Sequence, residues 1–246
     1  LVGVSLATNE NTAYYIPINH KNLLNNKIVE GQVKESELIK FLKTICEDPS
    51  ILKIGHNIKY DLRIFEKYNL SLNSIADTML LSYAIDNGIT KHNMDDLAFF
   101  HFNHTNIKFK ELVGSGKKEI TFDYVELDKA VEYAAEDALI TFKLFNLLNN
   151  RLKNEKSNFV YSEIDLPLVH VLSLIEKNGI KVDTKYLNDL SEEFNKESLI
   201  LEKKIYKLAN KQFNIGSPKQ LGEVLFVDLK IQGGKKTKTG TYSTDS

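Results

Sequence analysis

The sequence predicts an α/β domain at residues 1–155, with a mixed sheet flanked by helices, and then an all-α helical hairpin with a basic tip at residues 156–246. Two apolar, β-favouring runs open the chain, LVGVSLAT and AYYIPI, with the turn-like NENT between them. Strand-like and helix-like patterns then alternate up to about residue 153. After the polar segment NEKSN at 154–158 only helical periodicity remains, which places a domain boundary there.

The elements of the α/β domain follow from local patterns. SELIKFLKTICED at 36–48 has apolar residues at helical spacing, and ILKIGHN at 51–57 is a short apolar run typical of a buried strand. Residues 103–122 show no period, and GSGKK at 114–118 indicates a flexible, basic loop. Further helices are predicted at 60–68, 77–86, 93–102 and, as one long helix, 125–153.

The second region predicts two helices. In EIDLPLVHVLSLIEKNG, Pro167 lies where a first helical turn tolerates proline, and Gly179 is a natural C-terminal stop. Asp183 is placed as the N-cap of a long helix with an apolar stripe along one face. The stripe by itself indicates only that the two helices pack as a hairpin.

Composition excludes several classes of protein. Of 246 residues, 42% are hydrophobic and 26% charged, which is typical of a globular domain. Cys46 is the one cysteine, so an intrachain disulfide is excluded and a reducing compartment is favoured. No apolar run is long enough to span a bilayer and no signal peptide opens the chain, so no membrane partner is expected. Both ends look cut, and we expect a fragment of a longer protein.

Charge is unevenly distributed in the second region. Residues 163–202 hold four lysines against nine acids, whereas residues 203–240 hold nine lysines against two acids. Glycines, hydroxyls and lysines come together in GGKKTKTGTYST. Such a segment is either a solvated basic tip or a flexible clamp on a phosphate backbone, and charge alone does not decide between them.

Two acidic positions could carry chemistry. Asp61 follows Asn57 where a buried strand gives way to a helix, and Asp137 lies one helical turn after Tyr133 in EYAAEDAL. Taken singly, Asp61 reads as a partner of the helix dipole and Asp137 as half of a hydrogen-bonded pair. Taken together, carboxylates from separate elements could converge on divalent cations that activate water for phosphodiester cleavage.

The order of these motifs resembles a known family. N-x-x-x-D at Asn57–Asp61, D-T at Asp77–Thr78 and Y-x-x-x-D at Tyr133–Asp137 are similar to the second and third motifs of the DEDDy 3′→5′ exonuclease superfamily. SEIDLPLVHVLSLIEKNGIKVD, FNIGSPKQL and KKTKTGTYSTD resemble the start of the polymerase region of bacterial family A DNA polymerases. The resemblance runs through the whole chain in the same order.

The resemblance implies an RNase H-like exonuclease domain that removes mismatched 3′-terminal nucleotides with Mg²⁺ or Mn²⁺. Asp137 would ligate one metal directly, Asp61 would hold the second through water, and Tyr133 would position the attacking water. His56 stands where the family has Gln, and Lys91 where it has Arg, which keeps the charge but loses the bidentate fork. The expected contacts to a single-stranded 3′ end are His56, Asn57, Tyr60, Lys91 and Phe109.

The second region would be the thumb, which grips a primer–template duplex. The resemblance implies a monomer in the bacterial cytoplasm, associated with the nucleoid, with DNA as its partner. The residues expected to contact the duplex are Ser217, Lys219, Lys235, Lys236, Thr237, Lys238 and Thr239.

The first motif of the superfamily, D-x-E, does not occur in the sequence. Either it lies upstream in a longer protein, or the protein has lost it. The chain as given is therefore expected to bind catalytic metal poorly and to be inactive alone. A second hypothesis makes the α/β domain a catalytically dead platform beside a duplex-binding tip. A stand-alone ribonuclease of the same superfamily is disfavoured by the thumb-like helices.

Overall fold

A computed structural model describes residues 1–237 and 240–244 of the chain. It is mostly helical with two short sheets, an α/β composition as predicted. Its contacts divide it into two compact units, Leu1–Gly179 and Ile180–Ser246. The helix Leu166–Asn178 has its contacts within the first unit, so this division by contacts falls later in the chain than residue 155. The domain boundary at residue 155 stays a prediction.

The strands of the first unit form two pairs. Strands β1 (Gly3–Ala7) and β2 (Ala13–Pro17) are antiparallel, whereas β3 (Lys53–Gly55) and β4 (Ile75–Asp77) are parallel, with Gly55 opposite Asp77. The strands thus form two separate two-stranded sheets, one antiparallel and one parallel, and not the single mixed sheet that the sequence predicts. The pattern of the sequence did not predict β4.

Seven helices are described in the first unit. The segment 103–122, predicted to be a loop, contains one of them and a 3-10 turn, Gly116–Lys118, and a second 3-10 turn, Phe122–Tyr124, begins at its end. A wider helical turn of π type, Val160–Asp165, precedes the last helix. The helices are α1 (Glu35–Cys46), α2 (Ile58–Glu66), α3 (Thr78–Asp86), α4 (Met94–Phe102), α5 (Phe109–Val113), α6 (Leu127–Asn154) and α7 (Leu166–Asn178).

Helix α6 organises the core of this unit. It packs against β1, β2 and β3 on one side and against α3 and α4 on another. Ala130 and Ala134 are buried, and side chains this small let the helix backbone approach its neighbours closely. Farther along, Leu144 and Leu148 are fully buried in a cluster with Leu81 of α3. The long helix is therefore held by its apolar face along most of its length.

Helix α7 is tied to α2. Val169 of α7 lies in the same apolar cluster as Leu62 of α2. Glu176 accepts from Lys59 Nζ at 2.5 Å and from Arg63 Nη1 at 2.9 Å. These charges are partly exposed, so apolar packing contributes more to the contact than the ion pairs do.

The second unit is described by itself. Asp183 accepts from the backbone N–H of Tyr186 at 3.0 Å, which confirms the predicted N-cap of α8 (Thr184–Ala209). A short helix α9 (Pro218–Glu223) and a π-type turn (Val224–Asp228) follow. The predicted hairpin of two thumb helices stays a prediction. Among the residues that the structure describes, no helix combines the length and apolar character needed to cross a membrane.

Asp77 joins the strand pair β3–β4 to two helices. Its side chain is 1% exposed, and its carboxylate accepts from the backbone N–H of Asn57 and Ile58 at the start of α2, at 3.1 and 2.8 Å. It also accepts from Met79 and Leu80 at the start of α3, at 2.8 and 3.3 Å. One carboxylate thus caps two helix N-termini, where backbone N–H groups have no partner within the helix.

Asp77→Ala should lower the free energy of unfolding by about 2 to 4 kcal/mol, because four backbone N–H groups, one buried and three partly buried, lose their acceptor. Urea unfolding followed by circular dichroism measures this. Asn93→Ala removes the N-cap of α4, which accepts from one N–H at the surface, and should cost about 1 kcal/mol. Equal losses in the two variants would contradict the double cap.

Candidate active site

A cleft of about 260 Å³ opens between α4, α6 and the start of α5. Three residues singled out in the sequence, Phe109, Tyr133 and Asp137, line it together. The cleft therefore combines a carboxylate, a phenol and an aromatic ring within one small space. Its remaining lining residues are Asn93, Met94, Asp95 and Ile107.

The electrostatics of Tyr133 and Asp137 are those of a partly desolvated pair. The pKa of Asp137 is raised to about 6, chiefly by burial; the hydrogen bond from the Tyr133 hydroxyl opposes this shift, and the negative charges of Glu136 and Asp95 add to it. Burial, followed by the charge of Asp137, raises the pKa of the Tyr133 phenol well above its usual value. Tyr133 therefore stays a neutral donor at physiological pH.

The ring of Tyr133 belongs to an aromatic cluster. Its centroid lies 5.9 Å from those of Phe109 and Phe122, and these two phenylalanines stack on each other at 5.9 Å. The ring of His20 meets Phe122 edge-on at 5.6 Å. Sequence reasoning missed Phe122, because it lies in a segment with no period. Its packing gives Tyr133 and Phe109 defined positions.

Asp61 lies on α2 beside Asp77. Its pKa is raised to about 6, chiefly by burial and in smaller part by the nearby charge of Asp77. Among residues 1–237 and 240–244, no hydrogen bond or ion pair joins Asp61 to Asp137, and no three His, Cys, Asp or Glu side chains cluster as a metal site. A metal pair shared by Asp61 and Asp137 stays a prediction.

The other residues expected at a single-stranded end differ in exposure. Tyr60 is 67% exposed, and Asn57 and Lys91 are also exposed. Asn57 has left-handed backbone angles (φ 60°), which asparagine tolerates better than most residues. His56 is partly buried, with Nδ1 2.9 Å from Thr78 Oγ1, and burial lowers its pKa. Its position fits support of the strand end better than contact with DNA.

Asp95 is a residue of the cleft that sequence reasoning missed. It lies in the first turn of α4, where an acid commonly serves only the helix dipole. Its carboxylate lies 2.7 Å from Lys108 Nζ, and its charge acts on both Tyr133 and Asp137. In the sequence, the run NMDD at residues 93–96 gives no signal that distinguishes Asp95 from its neighbour Asp96.

The basic segment of the second unit folds back on itself. Lys236 and Tyr242 form an antiparallel bridge, the Thr237 N–H donates to Thr241 O at 2.7 Å, and the Ser243 N–H donates to Lys235 O at 2.8 Å. Lys236 Nζ lies 5.3 Å from the centre of the Tyr242 ring. Lys238 and Thr239, also predicted to contact DNA, lie outside the described residues.

Ser217 and Lys219, the other predicted duplex contacts, lie at the start of α9. Ser217 is its N-cap and accepts from the backbone N–H of Gln220. Lys219 is exposed within the first turn. Both residues therefore lie at the N-terminal end of this short helix in the second unit.

Comparison with known proteins gives matches over nearly the whole chain. The model of a 3′-5′ exonuclease family matches residues 1–153, and that of DNA polymerase family A matches residues 184–246. DNA polymerase I of Rhizobium leguminosarum is 42% identical over 100% of the chain and 26% of that protein, and DNA polymerase I of Pseudomonas aeruginosa is 39% identical over 99% and 27%. The chain spans about a quarter of the length of these curated relatives.

A solved structure is similar as well. It is the POL domain of Pol1 from M. smegmatis in complex with DNA primer-template and dNTP, with a TM-score of 0.64 and 26% identity over 99% of this chain and 37% of that one. Because the exonuclease family model matches more than half of the chain, the chain belongs to the 3′-5′ exonuclease family. The exonuclease match is followed by a family A polymerase match, so the predicted resemblance to bacterial family A DNA polymerases is confirmed.

Asp137→Asn should stabilise the metal-free protein at pH 7 by about 1 to 2 kcal/mol. The folded state holds the Asp137 proton up to about pH 6, whereas the unfolded state releases it near 3.8. Wild-type stability therefore falls as pH rises through this window, and an amide avoids that loss. Urea unfolding in EDTA at pH 4 and pH 7 measures the difference.

The gain should be small at pH 4 and present at pH 7. The exposed Asp128→Asn on the same helix serves as control and should show no such gain. An Asp137→Asn variant no more stable than wild type at pH 7 would contradict the assignment of a desolvated carboxylate.

Proposed function

We propose that residues 1–153 form the proofreading exonuclease domain of a bacterial family A DNA polymerase, with an RNase H-like fold. The observation that carries the proposal is the cleft that brings Phe109, Tyr133 and Asp137 together within the region matched by the exonuclease family. A carboxylate, a neutral phenol and a ring in one cleft suit hydrolysis at the end of an unpaired strand. The reaction is removal of a 3′-terminal nucleotide.

Asp137 and Asp61 would hold the divalent cations, Mg²⁺ or Mn²⁺. Both residues offer the oxygen ligands that such ions prefer, and burial has already weakened their hydration. When bound, the cations supply an activated water and stabilise the leaving oxygen. Two carboxylates are fewer than a pair of cations needs, and D-x-E, the family's source of the others, is not in the sequence.

The remaining residues of the cleft act on water and substrate. The Tyr133 hydroxyl stays protonated and would orient the attacking water, a task that depends on position. The Phe109 ring is 46% exposed and would stack on the terminal base. Exposed Tyr60, Asn57 and Lys91 would contact the single strand, while His56, bonded to Thr78, would support the end of β3.

The region from about residue 156 onward is proposed to begin the polymerase, as its thumb. Its folded-back basic segment presents lysine charge, backbone N–H groups and hydroxyls, which suit the phosphates of a duplex. The related POL domain from M. smegmatis carries a DNA primer-template, which supports a duplex partner here. We further propose a monomer of the bacterial nucleoid and little exonuclease activity in the isolated chain.

A second candidate function is a catalytically dead exonuclease platform that only supports duplex binding. The observation in its favour is that no three His, Cys, Asp or Glu side chains form a metal cluster among the residues that the structure describes. The two candidates agree on the basic segment and differ on Asp137. Activity measurements on the complete protein distinguish the two candidate functions.

In the complete protein, Asp137→Ala should lower Mg²⁺-dependent 3′→5′ degradation of single-stranded DNA by at least about 100-fold. Tyr133→Phe keeps the ring packing and should lower it by about 10- to 100-fold through loss of the hydroxyl. Timed gels of a 5′-labelled oligonucleotide give both rates. Asp128→Asn is the matched control, and degradation unaffected by Asp137→Ala would remove Asp137 from the site.

Replacing Lys235, Lys236 and Lys238 by Glu should weaken sequence-independent duplex binding. The slope of log K against log salt should become shallower by about 0.9 for each phosphate that a lysine no longer neutralises. Fluorescence anisotropy with two unrelated duplexes at several salt concentrations tests this. The same charge change at Lys181, Lys185 and Lys196 is the control, and equal affinity of the two triple variants would make the tip assignment wrong.

A further inference from the structure

We infer that Glu136 is a positioning residue that fastens the segment 103–108 to α6 and so sets the place of Phe109 in the cleft. The inference rests on the proposed function of the cleft for its effect on activity. The fastening itself can be measured without activity. We call the segment 103–108 with its bonds to Glu136 the latch.

Both oxygens of Glu136 are engaged by the latch. Oε1 lies 2.8 Å from His104 Nε2, and Oε2 accepts from the backbone N–H of Ile107 at 2.7 Å. The Glu136 side chain is 18% exposed, compared with 42% for His104. A largely buried carboxylate with a donor on each oxygen makes charge-assisted bonds that are stronger than neutral ones.

The latch is directly continuous with the cleft. Ile107 and Phe109 both line it, and the residue between them, Lys108, lies 2.7 Å from Asp95 on the opposite wall. A single residue, Lys108, separates Ile107, whose N–H is anchored, from Phe109. Fixing Ile107 therefore fixes the start of α5, where Phe109 packs on Tyr133 and Phe122.

The adjacent acids Glu136 and Asp137 have different roles in this proposal. Successive residues on an α-helix point about 100° apart, so Glu136 and Asp137 face different sides of α6. Asp137 faces the small cleft, whereas Glu136 lines a separate groove of about 560 Å³ with His104. Glu132, one turn earlier on α6, lines the same groove and is exposed. It is therefore a matched control for charge and location.

The chain has no tryptophan, so Phe109→Trp places its single tryptophan at the end of the latch, where it can be excited at wavelengths that tyrosine does not absorb. In that background, Glu136→Ala should shift the emission to the red and steepen quenching by acrylamide, while Glu132→Ala should do neither. His104→Ala should give part of the change, because Ile107 keeps its acceptor. Unchanged emission and quenching in Glu136→Ala would overturn the inference.

A variant that merely unfolds is recognised by circular dichroism. If Glu136→Ala does not fold, Glu136→Gln carries the test, because it keeps an oxygen for Ile107 but changes the partner of His104. It should give a smaller shift in the same direction, and no shift would overturn the inference.

Activity in the complete protein gives an independent readout. Glu136→Ala should raise the KM for single-stranded ends by about 5- to 50-fold, as expected for a displaced stacking ring, with kcat changed less. A lower kcat with an unchanged KM would overturn the positioning role. If Asp137→Ala leaves degradation intact, the proposed function fails while the fluorescence result still decides the latch.

Discussion

The carboxylate of Asp77 is the interaction on which the rest of the first unit depends. It ends β4 and accepts from two N–H groups at the start of α2 and two at the start of α3. A buried charge is tolerable only when its lone pairs are used, and four donors use them here. The backbone N–H of Asp77 also donates to the Tyr161 hydroxyl, which brings the segment before α7 to the same point. The positions of Asp61 on α2 and of His56 beside Thr78 follow from this one anchor.

The parts of the fold that are periodic or capped could be predicted from sequence. Helix α6 and helix α8 have long apolar stripes, and Asp183 and Gly179 are local signals for a start and a stop. The three-residue strand β4 and the five-residue helix α5 are too short to show a period, so they were missed.

The same limit applies to the site. Tyr133 and Asp137 were found because four residues on a helix bring side chains together. Phe122, Asp95 and the partners of Glu136 lie 11 to 42 residues along the chain from the groups on which they act, so local sequence spacing does not reveal them. The double cap of Asp77 also depends on the pairing of β3 with β4. Whether Asp61 and Asp137 share a metal pair stays a prediction.

The raised pKa of Asp137 has an evolutionary consequence. The aromatic cluster and the buried leucines of α6 hold the helix without help from this carboxylate, whose desolvation opposes folding at neutral pH. A lineage that replaces the residue by an amide keeps the scaffold and gains stability. Mutation alone therefore favours loss of the acid, and under the proposed function it is selection for removing terminal nucleotides that would retain it. Under the proposed function, a retained acid at this position would therefore be a better indicator of activity than a retained scaffold.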